Sequence, residues 1–383
     1  MPDHAQLVAA AHALVPTITA AARSAELARR PDDGVIQQAR DSGLFTLMSP
    51  RCYGGSELDL DTFFEVGLIL GQADASHAWN LTFYIEHVWM FTQFPEVFQR
   101  EVFADRSYVL APAMLSPSGR AERVDGGHRL SGRWSWGTGV VHGEWTIAGA
   151  IVPTAEGIRA KFFALPADEV RWEDTWHMDG MCATGSHDIV IDDRFVPDER
   201  AVDIGEMLQA CAPGSRLHDG PLYATPMAPI LSFAAALPVL GQAKAAVAEF
   251  GRQLATRLDM GLQPQSARVD RQALLGEVDL QVRAAEALMR SVLDEVLTMR
   301  HTADEAARVR WTASIAHAVG MSRLAVDRLC DAGGSTAHTL TNPLQRTRRD
   351  VNTMACHTVF DLFERHRVHG RSLLGLTSES RWH

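Results

Sequence analysis

The first hundred residues have the hydrophobic spacing of helices. Val35, Ile36 and Ala39 recur at helical intervals, whereas from Asp61 onward apolar residues surround most of the helix surface. A helix that is apolar on most sides is typical of a protein interior. We therefore predict an N-terminal helical domain over residues 1–109.

The pattern changes between residues 110 and 205. Short apolar runs of the length of β-strands are separated there by glycines and prolines, and Gly126-Gly127 is a hairpin signal. The runs lie at 128–131, 145–148, 161–165 and 187–191. This texture predicts a compact central β domain, either a small barrel or a sandwich.

Helical periodicity returns over residues 216–383. Ala/Leu/Arg-rich segments predict four long helices joined by short links, which favours an antiparallel four-helix bundle. The four segments lie near 230–258, 267–300, 303–330 and 350–373. The order α, β, α places the chain in the α+β class.

Composition excludes several functional classes. The 383 residues are 46% hydrophobic and 22% charged, and their formal charge of -11 disfavours nucleic-acid binding. The longest apolar stretch is too short and too interrupted to span a membrane, which needs about 20 apolar residues. Five scattered cysteines without a C-x-x-C pair favour free thiols in the cytoplasm and no metal site.

Two motifs in the predicted β domain carry a family resemblance. The segment 131–139 includes Trp136 and Thr138, which would face one side of a strand because alternate residues do so. Together with the turn 180–188, it resembles the acyl-CoA dehydrogenase superfamily. The resemblance implies that fold, with Trp136 stacked on a flavin ring and Thr138 hydrogen-bonded to flavin N5.

Further residues resemble the superfamily's contacts with the flavin tail. Gly333 and Gly334 lie in a segment similar to the one that receives the tail of a neighbouring subunit's flavin, and adjacent glycines permit close phosphate approach. Arg257 resembles an arginine that pairs with the flavin pyrophosphate. These likenesses imply a homotetramer built through the C-terminal helices and the arginine-rich segment 346–349.

The branch of the superfamily is indicated by one histidine. A dehydrogenase needs a carboxylate base about eight residues after the pair Arg349-Asp350, but residues 351–358 contain no acid and include His357. This pattern, like the segment 370–376, resembles the two-component flavin monooxygenases of the phenol and hydroxyphenylacetate hydroxylase type. We expect His357 to act on oxygen activation or substrate positioning.

The substrate pocket is predicted by the same resemblance. In phenol-hydroxylating members a histidine eight residues after a tryptophan contacts the substrate hydroxyl, and here the pair is Trp79 and His87. Eight residues are a little over two helical turns, so both can face one cavity. With Ala113, Met114 and Met227 as further wall residues, the pocket would suit a bulky, mostly apolar aromatic substrate.

The resemblance implies an oxygenase component that receives reduced FMN or FAD from a separate flavin reductase. With O2 as cosubstrate it would hydroxylate a phenolic or indolic ring through a flavin C4a-hydroperoxide, with His87 and His357 as catalytic residues and Thr138 limiting peroxide loss. Three alternatives remain at this stage. They are N- or S-oxygenation of an amine, amino sugar or thioether, acyl-CoA dehydrogenation, and a non-catalytic scaffold.

Overall fold

The N-terminal part of the chain is helical, as predicted. The computed structural model describes residues 1–155, 157–258 and 260–380. Five helices precede the first strand: α1 (His4–Ala28), α2 (Asp33–Asp41), α3 (Leu60–Ala73), α4 (Ala75–Phe91) and α5 (Glu96–Val102). Asp3 and Gln6 form a capping box at the start of α1, which satisfies backbone donors that a helix start leaves free.

Helix α4 is the element on which the pocket is built. Sixteen of its seventeen residues are buried, because α3, α7 and the N-terminal helices surround it. Asp74 caps its first turn and also pairs with the ring of His77 at 2.8 Å. A helix enclosed on all sides holds its side chains in fixed directions, which suits a binding wall.

The described residues of the central domain form seven strands in one sheet. They are β1 (Ala113–Val124), β2 (Gly127–Gly137), β3 (Trp145–Thr154), β4 (Gly157–Pro166), β5 (Arg171–Glu173), β6 (His187–Pro197) and β7 (Ala201–Asp203). Their order is β5-β6-β2-β1-β3-β4-β7. All neighbouring pairs are antiparallel except β1 with β3, which is parallel.

This sheet is rolled around its own core. Side chains from both halves of the strand order, such as Ile189 on β6 and Phe163 on β4, belong to one buried cluster with Trp134. The Trp134 indole donates a hydrogen bond to the Gly149 carbonyl at 2.7 Å. A Cβ on Gly119 would lie 2.0 Å from the Trp134 ring, so the roll depends on glycine at that position.

In the described part of the C-terminal bundle there are five main helices, where four were predicted. After the short helix α6 (Ile204–Leu208) come α7 (Met227–Thr256), α8 (Val269–Met299), α9 (Glu305–Ala332), α10 (Pro343–Ala355) and α11 (Leu362–Leu373). The prediction of one helix over 350–373 is wrong. The chain turns at residues 356–361, where His357 accepts a hydrogen bond from the Val359 backbone N–H.

Helix α7 is the centre of the bundle. It and α1 are long and apolar enough to cross a membrane by length and composition alone, but 83% of the apolar window of α7 is buried inside the protein. On α1, the buried residues Leu7, Ala11, Leu14 and Ile18 form one stripe that packs on the neighbouring helices. Both patterns are those of helices that pack in a protein interior or on its surface.

The arginines of segment 346–349 bind carboxylates of the same chain. Arg346 lies 3.8 Å from Asp74, Arg348 lies 2.8 Å from Asp327, and Arg349 lies 2.6 Å from Glu26. The segment therefore ties α10 to α1, α4 and α9 within one subunit.

Candidate active site

A cavity of about 750 Å³ lies where α4, the end of β2, the turn 181–186 and the α10–α11 link meet. Most of the predicted site residues line it: Trp79, His87, Ala113, Met114, Trp136, Thr138 and His357. The structure therefore brings together residues that are up to 278 positions apart in the sequence. The volume is in the range of small-molecule sites in enzymes.

Four predicted residues lie outside the cavity lining. Met227 is fully buried at the start of α7, and Leu231, one turn later, takes the wall position expected for it. Arg257 follows the end of α7, and Gly333 follows the end of α9. Gly334, with φ of +62°, makes the turn after α9, a conformation that favours glycine.

Aromatic rings form one wall of the cavity. Trp79 stacks on Phe83 with a centroid distance of 4.5 Å. Phe83 lies edge-on to His87 at 5.5 Å and to His357 at 6.3 Å. The tryptophan, phenylalanine and first histidine are four residues apart and so share one face of α4. Phe83 was missed by the sequence analysis, although this spacing would have identified it.

His87 has a defined tautomer. It is 2% exposed, and its Nδ1 lies 2.6 Å from the carbonyl oxygen of Ala111. Because a carbonyl only accepts, Nδ1 carries the hydrogen and donates it, leaving Nε2 with a lone pair. Burial lowers the pKa of His87 to about 4, although the Ala111 hydrogen bond acts in the opposite direction. The ring is therefore a neutral acceptor at pH 7.

His357 stands at the break between α10 and α11. Its ring lies edge-on to Trp79 with a centroid distance of 5.6 Å. Burial lowers the pKa of His357 to about 4, so this ring is also neutral at pH 7. The helix break places the His357 ring on the cavity wall. The prediction of one continuous helix missed this break.

Trp136 and Thr138 share the cavity for a different reason from the one predicted. Trp136 has a left-handed backbone with φ of 72°, which is costly for a residue with a large side chain, and Thr138 lies beyond the last residue of β2. Strand alternation therefore does not apply. A tight turn from the Thr138 N–H to the Trp136 carbonyl, 2.9 Å long, places both on the cavity, with Trp136 61% exposed.

Behind Thr138 lies a chain of hydroxyl groups. Thr138 Oγ1 is 3.1 Å from Ser186 Oγ, which is 2.7 Å from Thr184 Oγ1. Thr184 donates its only hydrogen to the Met181 carbonyl at 3.0 Å. Each hydroxyl has one hydrogen, so Ser186 donates to Thr184 and Thr138 donates to Ser186. Toward the cavity, Thr138 can only accept.

The turn 181–186, which contains Thr184 and Ser186, is held in place by a residue of α10. The Met181 backbone N–H donates to the buried carboxyl of Asp350 at 2.6 Å, and Met181 itself has a left-handed φ of 57°. Burial, with the nearby Asp74 charge, raises the pKa of Asp350 to about 7. Ser186 and Thr184 were not assigned roles from the sequence, although both lie in the turn that carried the family resemblance.

Glu86 is the second residue that the sequence analysis missed. Glu86 is among the residues that line the cavity, it is 1% exposed, and its Oε2 lies 3.3 Å from His87 Nε2. Burial raises the pKa of Glu86 well above its usual value. The available signal was that Glu86 is the single acid of a largely apolar helix, because a glutamate is almost never fully buried unless it is paired.

Sequence comparisons identify the family of this chain. The family described as "Acyl-CoA dehydrogenase, C-terminal domain" matches residues 233–362. A pigment production hydroxylase of Rhodococcus sp. is 31% identical over 374 residues, or 97% of each chain. The chain belongs to the flavin-dependent hydroxylase branch of the acyl-CoA dehydrogenase superfamily. The oxygenase component of a FADH2-dependent resorcinol hydroxylase from Rhizobium sp. is 29% identical, over 99% of this chain and 96% of the relative.

Solved structures of this branch have the same fold. The 3-HSA hydroxylase of Rhodococcus sp. RHA1 superposes with a TM-score of 0.94 at 25% identity, over all of both chains. XiaF from Streptomyces sp., in complex with FADH2 and glycerol, gives 0.91 at 30% identity, over 98% of this chain and 97% of XiaF. The predicted family, fold and monooxygenase class are thus confirmed.

Proposed function

We propose that this chain binds reduced FMN or FAD, supplied by a separate flavin reductase, and uses O2 to hydroxylate a bulky phenolic or indolic compound. The observation that carries the proposal is the cavity itself. It places two buried hydrogen-bond acceptors, His87 Nε2 and Thr138 Oγ1, in one space walled by aromatic rings.

The residues of the cavity fit a flavin ring. Trp136 offers an indole face at 61% exposure, and a flat conjugated ring is the natural partner of such a face. Thr138, which donates to Ser186, can accept from a ligand N–H such as the one that a reduced flavin ring carries. When bound, reduced flavin together with O2 supplies the oxygen atom and the electrons for hydroxylation.

His87 is the base in this proposal. Its Nδ1–H is held by the Ala111 carbonyl, so Nε2 can receive the proton of a phenolic O–H or an indolic N–H. Loss of that proton makes the aromatic ring more nucleophilic at the moment when the oxygen atom is transferred. A positioned general base contributes about 10²–10⁴-fold to a rate.

His357, Trp79 and Phe83 line the pocket beside His87. Their edge-on and stacked contacts leave a slot for a flat aromatic substrate and exclude water from it. Met114 on β1 and Leu231 on α7 add apolar walls. Ala113, also on this wall, offers no polar group, which favours an apolar substrate over a small phenolic acid.

The test is a substrate screen with a flavin reductase, NADH and O2, read by mass spectrometry. We expect bulky phenols and indoles to gain one oxygen atom on a ring carbon, and His87→Ala to abolish this gain. Oxygen found on nitrogen or sulfur, with His87→Ala fully active, would favour the N- or S-oxygenase alternative. Reduction of bound flavin by an acyl-CoA would favour a dehydrogenase.

We also propose that the protein is a homotetramer in the cytoplasm. The C-terminal helix exposes large apolar side chains, with Phe363, Leu373 and Leu374 each at least 75% exposed, and such clusters are typical of subunit interfaces. All five cysteines are free thiols, in keeping with a reducing compartment. In the tetramer Arg257, Gly333 and Gly334 would bind the tail of a neighbouring subunit's flavin.

Sedimentation tests the assembly. We expect a tetramer for the wild-type protein and smaller species for Phe363→Glu. A stable wild-type monomer that binds flavin as tightly as the relatives do would contradict both the tetramer and the role given to the two glycines.

A further inference from the structure

Helix α4 carries two rows of side chains that have different neighbours. The first row contains His87 and lines the cavity. The second row is offset from the first by one residue, or about 100° around the helix. Its members are buried and lie four residues apart on one face: Ser76, Asn80 and Tyr84. In the described parts of the chain the second row does not belong to the cavity lining, so its polar atoms meet protein groups instead of a ligand.

The first two members of the second row contact the turn 181–186. Ser76 Oγ lies 3.9 Å from the sulfur of Met181, and Asn80 Nδ2 lies 3.5 Å from the carbonyl oxygen of Ala183. Both distances are long for hydrogen bonds. These contacts place the turn against α4 but hold it weakly.

Tyr84 makes the short contact of the second row. Its side chain is fully buried, and its hydroxyl donates a hydrogen bond to the Gly139 carbonyl, with 2.5 Å between the two oxygens. Burial raises the pKa of Tyr84 further above its usual value, so the hydroxyl keeps its hydrogen and remains a donor. Gly139 has a φ of +70°, and a Cβ there would lie 2.2 Å from the Tyr84 oxygen. This contact therefore requires a glycine at position 139.

The backbone of Gly139 is held from two sides. Its N–H donates to the Thr184 carbonyl at 3.1 Å, and its carbonyl accepts the Tyr84 hydrogen bond. Thr138 directly precedes it and donates its side-chain hydrogen to Ser186 at 3.1 Å. The peptide that follows Thr138 is thus fixed between α4 and the neighbouring turn. The direction of the Thr138 lone pairs depends on the position of that peptide.

We propose that Tyr84 is a positioning residue, which holds the turn 136–139 against α4 and thereby directs Thr138 Oγ1 toward a reduced flavin. The proposed base, His87, lies three residues further along the same helix. One enclosed helix thus sets the position of the flavin contact relative to the base. This inference rests on the proposed function and deepens it, because it adds a residue that acts through Thr138.

Tyr84→Phe removes only the hydroxyl that makes this link. The Gly139 carbonyl keeps a second donor, the His142 N–H at 3.0 Å, so we expect the variant to fold while the turn is free to shift away from α4. Reduced FMN should bind up to about tenfold more weakly, which corresponds to the loss of one hydrogen bond. Anaerobic titration followed by the fluorescence of the protein's tryptophans measures this affinity without turnover.

Tyr223→Phe is the matched control. Tyr223 is also fully buried, and it donates its hydroxyl to a backbone carbonyl, that of Met48, at 3.2 Å. Thermal unfolding should show that both variants are folded at the titration temperature. Reduced FMN should bind to Tyr223→Phe as tightly as to the wild-type protein. An equal loss of affinity in both variants would mean a general effect of removing a buried hydroxyl and would overturn the positioning role.

A double-mutant cycle tests whether Tyr84 acts through Thr138. Thr138→Val removes the group that Tyr84 is proposed to direct. In that background, Tyr84→Phe should weaken the binding of reduced FMN by no more than about twofold, because substitutions that act on one contact are not additive. Losses that multiply fully in the double variant would mean that Tyr84 acts elsewhere, which would overturn the inference.

Turnover gives a second readout. The row of α4 that lines the cavity is intact in Tyr84→Phe, so the KM for an aromatic substrate should stay at the wild-type value, while more hydrogen peroxide is released for each NADH consumed. Failure of the wild-type protein to bind reduced FMN would contradict the proposed function itself. Wild-type binding together with an unchanged affinity in Tyr84→Phe would overturn only the positioning role.

Discussion

The hydroxyl chain behind Thr138 predicts how the protein distinguishes two states of a flavin. Thr184 donates to the Met181 carbonyl, Ser186 to Thr184, and Thr138 to Ser186, so Thr138 presents only lone pairs to the cavity. A reduced flavin carries a hydrogen on ring nitrogen N5, whereas the oxidised form has an acceptor there. The chain of hydroxyl groups therefore favours binding of the reduced flavin.

The magnitude follows from one hydrogen bond. A neutral hydrogen bond contributes roughly 0.5–1.5 kcal/mol, or up to about tenfold in a binding constant. In Ser186→Ala the Thr138 hydrogen is released and can rotate toward the ligand. We expect oxidised FMN to bind up to about tenfold more tightly to this variant, with little change for reduced FMN.

Thr138→Val should behave differently because it removes the group itself. Reduced FMN should bind up to about tenfold more weakly, and more hydrogen peroxide should form for each product molecule. Anaerobic titrations with both forms of FMN, together with peroxide assays, measure these effects. Thr312→Val is the control, since this buried hydroxyl donates within α9. The reasoning is refuted if Ser186→Ala leaves the affinity ratio of the two forms unchanged.

Three further predictions concern the histidines and the β domain. His357→Ala should retain flavin binding yet lower hydroxylation by about 10²–10⁴-fold in stopped-flow assays; equal, small effects from this change and Thr138→Ala would contradict both site assignments. His87 has a pKa of about 4 when folded and 6.5 as its ordinary value, chiefly because burial penalises the charged ring; its titration therefore leaves stability unchanged above pH 6.5 and destabilises the fold as pH falls from 6.5 toward 4, by at most about 1.4 kcal/mol per pH unit. The pKa of Glu86 shifts in the opposite direction, so the free energy of unfolding should be measured against pH for both wild type and His87→Gln, which share Glu86. A difference between the two proteins that does not change with pH would count against the burial argument. Gly119→Ala, which places a Cβ 2.0 Å from the Trp134 ring, should cost about 1–3 kcal/mol in thermal unfolding, whereas Gly276→Ala in open space on α8 should not destabilise.

The sequence predicts the fold well where periodicity and family resemblance agree. The order α, β, α follows from apolar spacing, and the shared face of Trp79 and His87 follows from the family resemblance and their eight-residue separation; the cavity contains both residues. The helix break at His357 could not be found in this way. The polar pattern of residues 350–373 is compatible with one helix, and the turn there is stabilised by contacts with distant aromatic rings.

Other parts of the site depend on contacts between segments far apart in the chain. The left-handed backbone of Trp136 is imposed by the sheet end and contradicts its intrinsic preference. The direction of the hydroxyl chain depends on Ser186, which lies 48 residues from Thr138. Glu86 could have been suspected from its largely apolar helix, but its contact with His87 Nε2 depends on the direction in which both side chains turn.

The central claim is that this chain transfers one oxygen atom from O2 to an aromatic ring with the help of reduced flavin. The most direct measurement is a reaction with a flavin reductase, NADH, a bulky phenol or indole and isotopically labelled O2, analysed by mass spectrometry. We predict a ring-hydroxylated product that carries one labelled oxygen atom and is lost in His87→Ala. Consumption of NADH and O2 that yields only hydrogen peroxide, with no labelled product from any phenol or indole in the screen, would contradict the account.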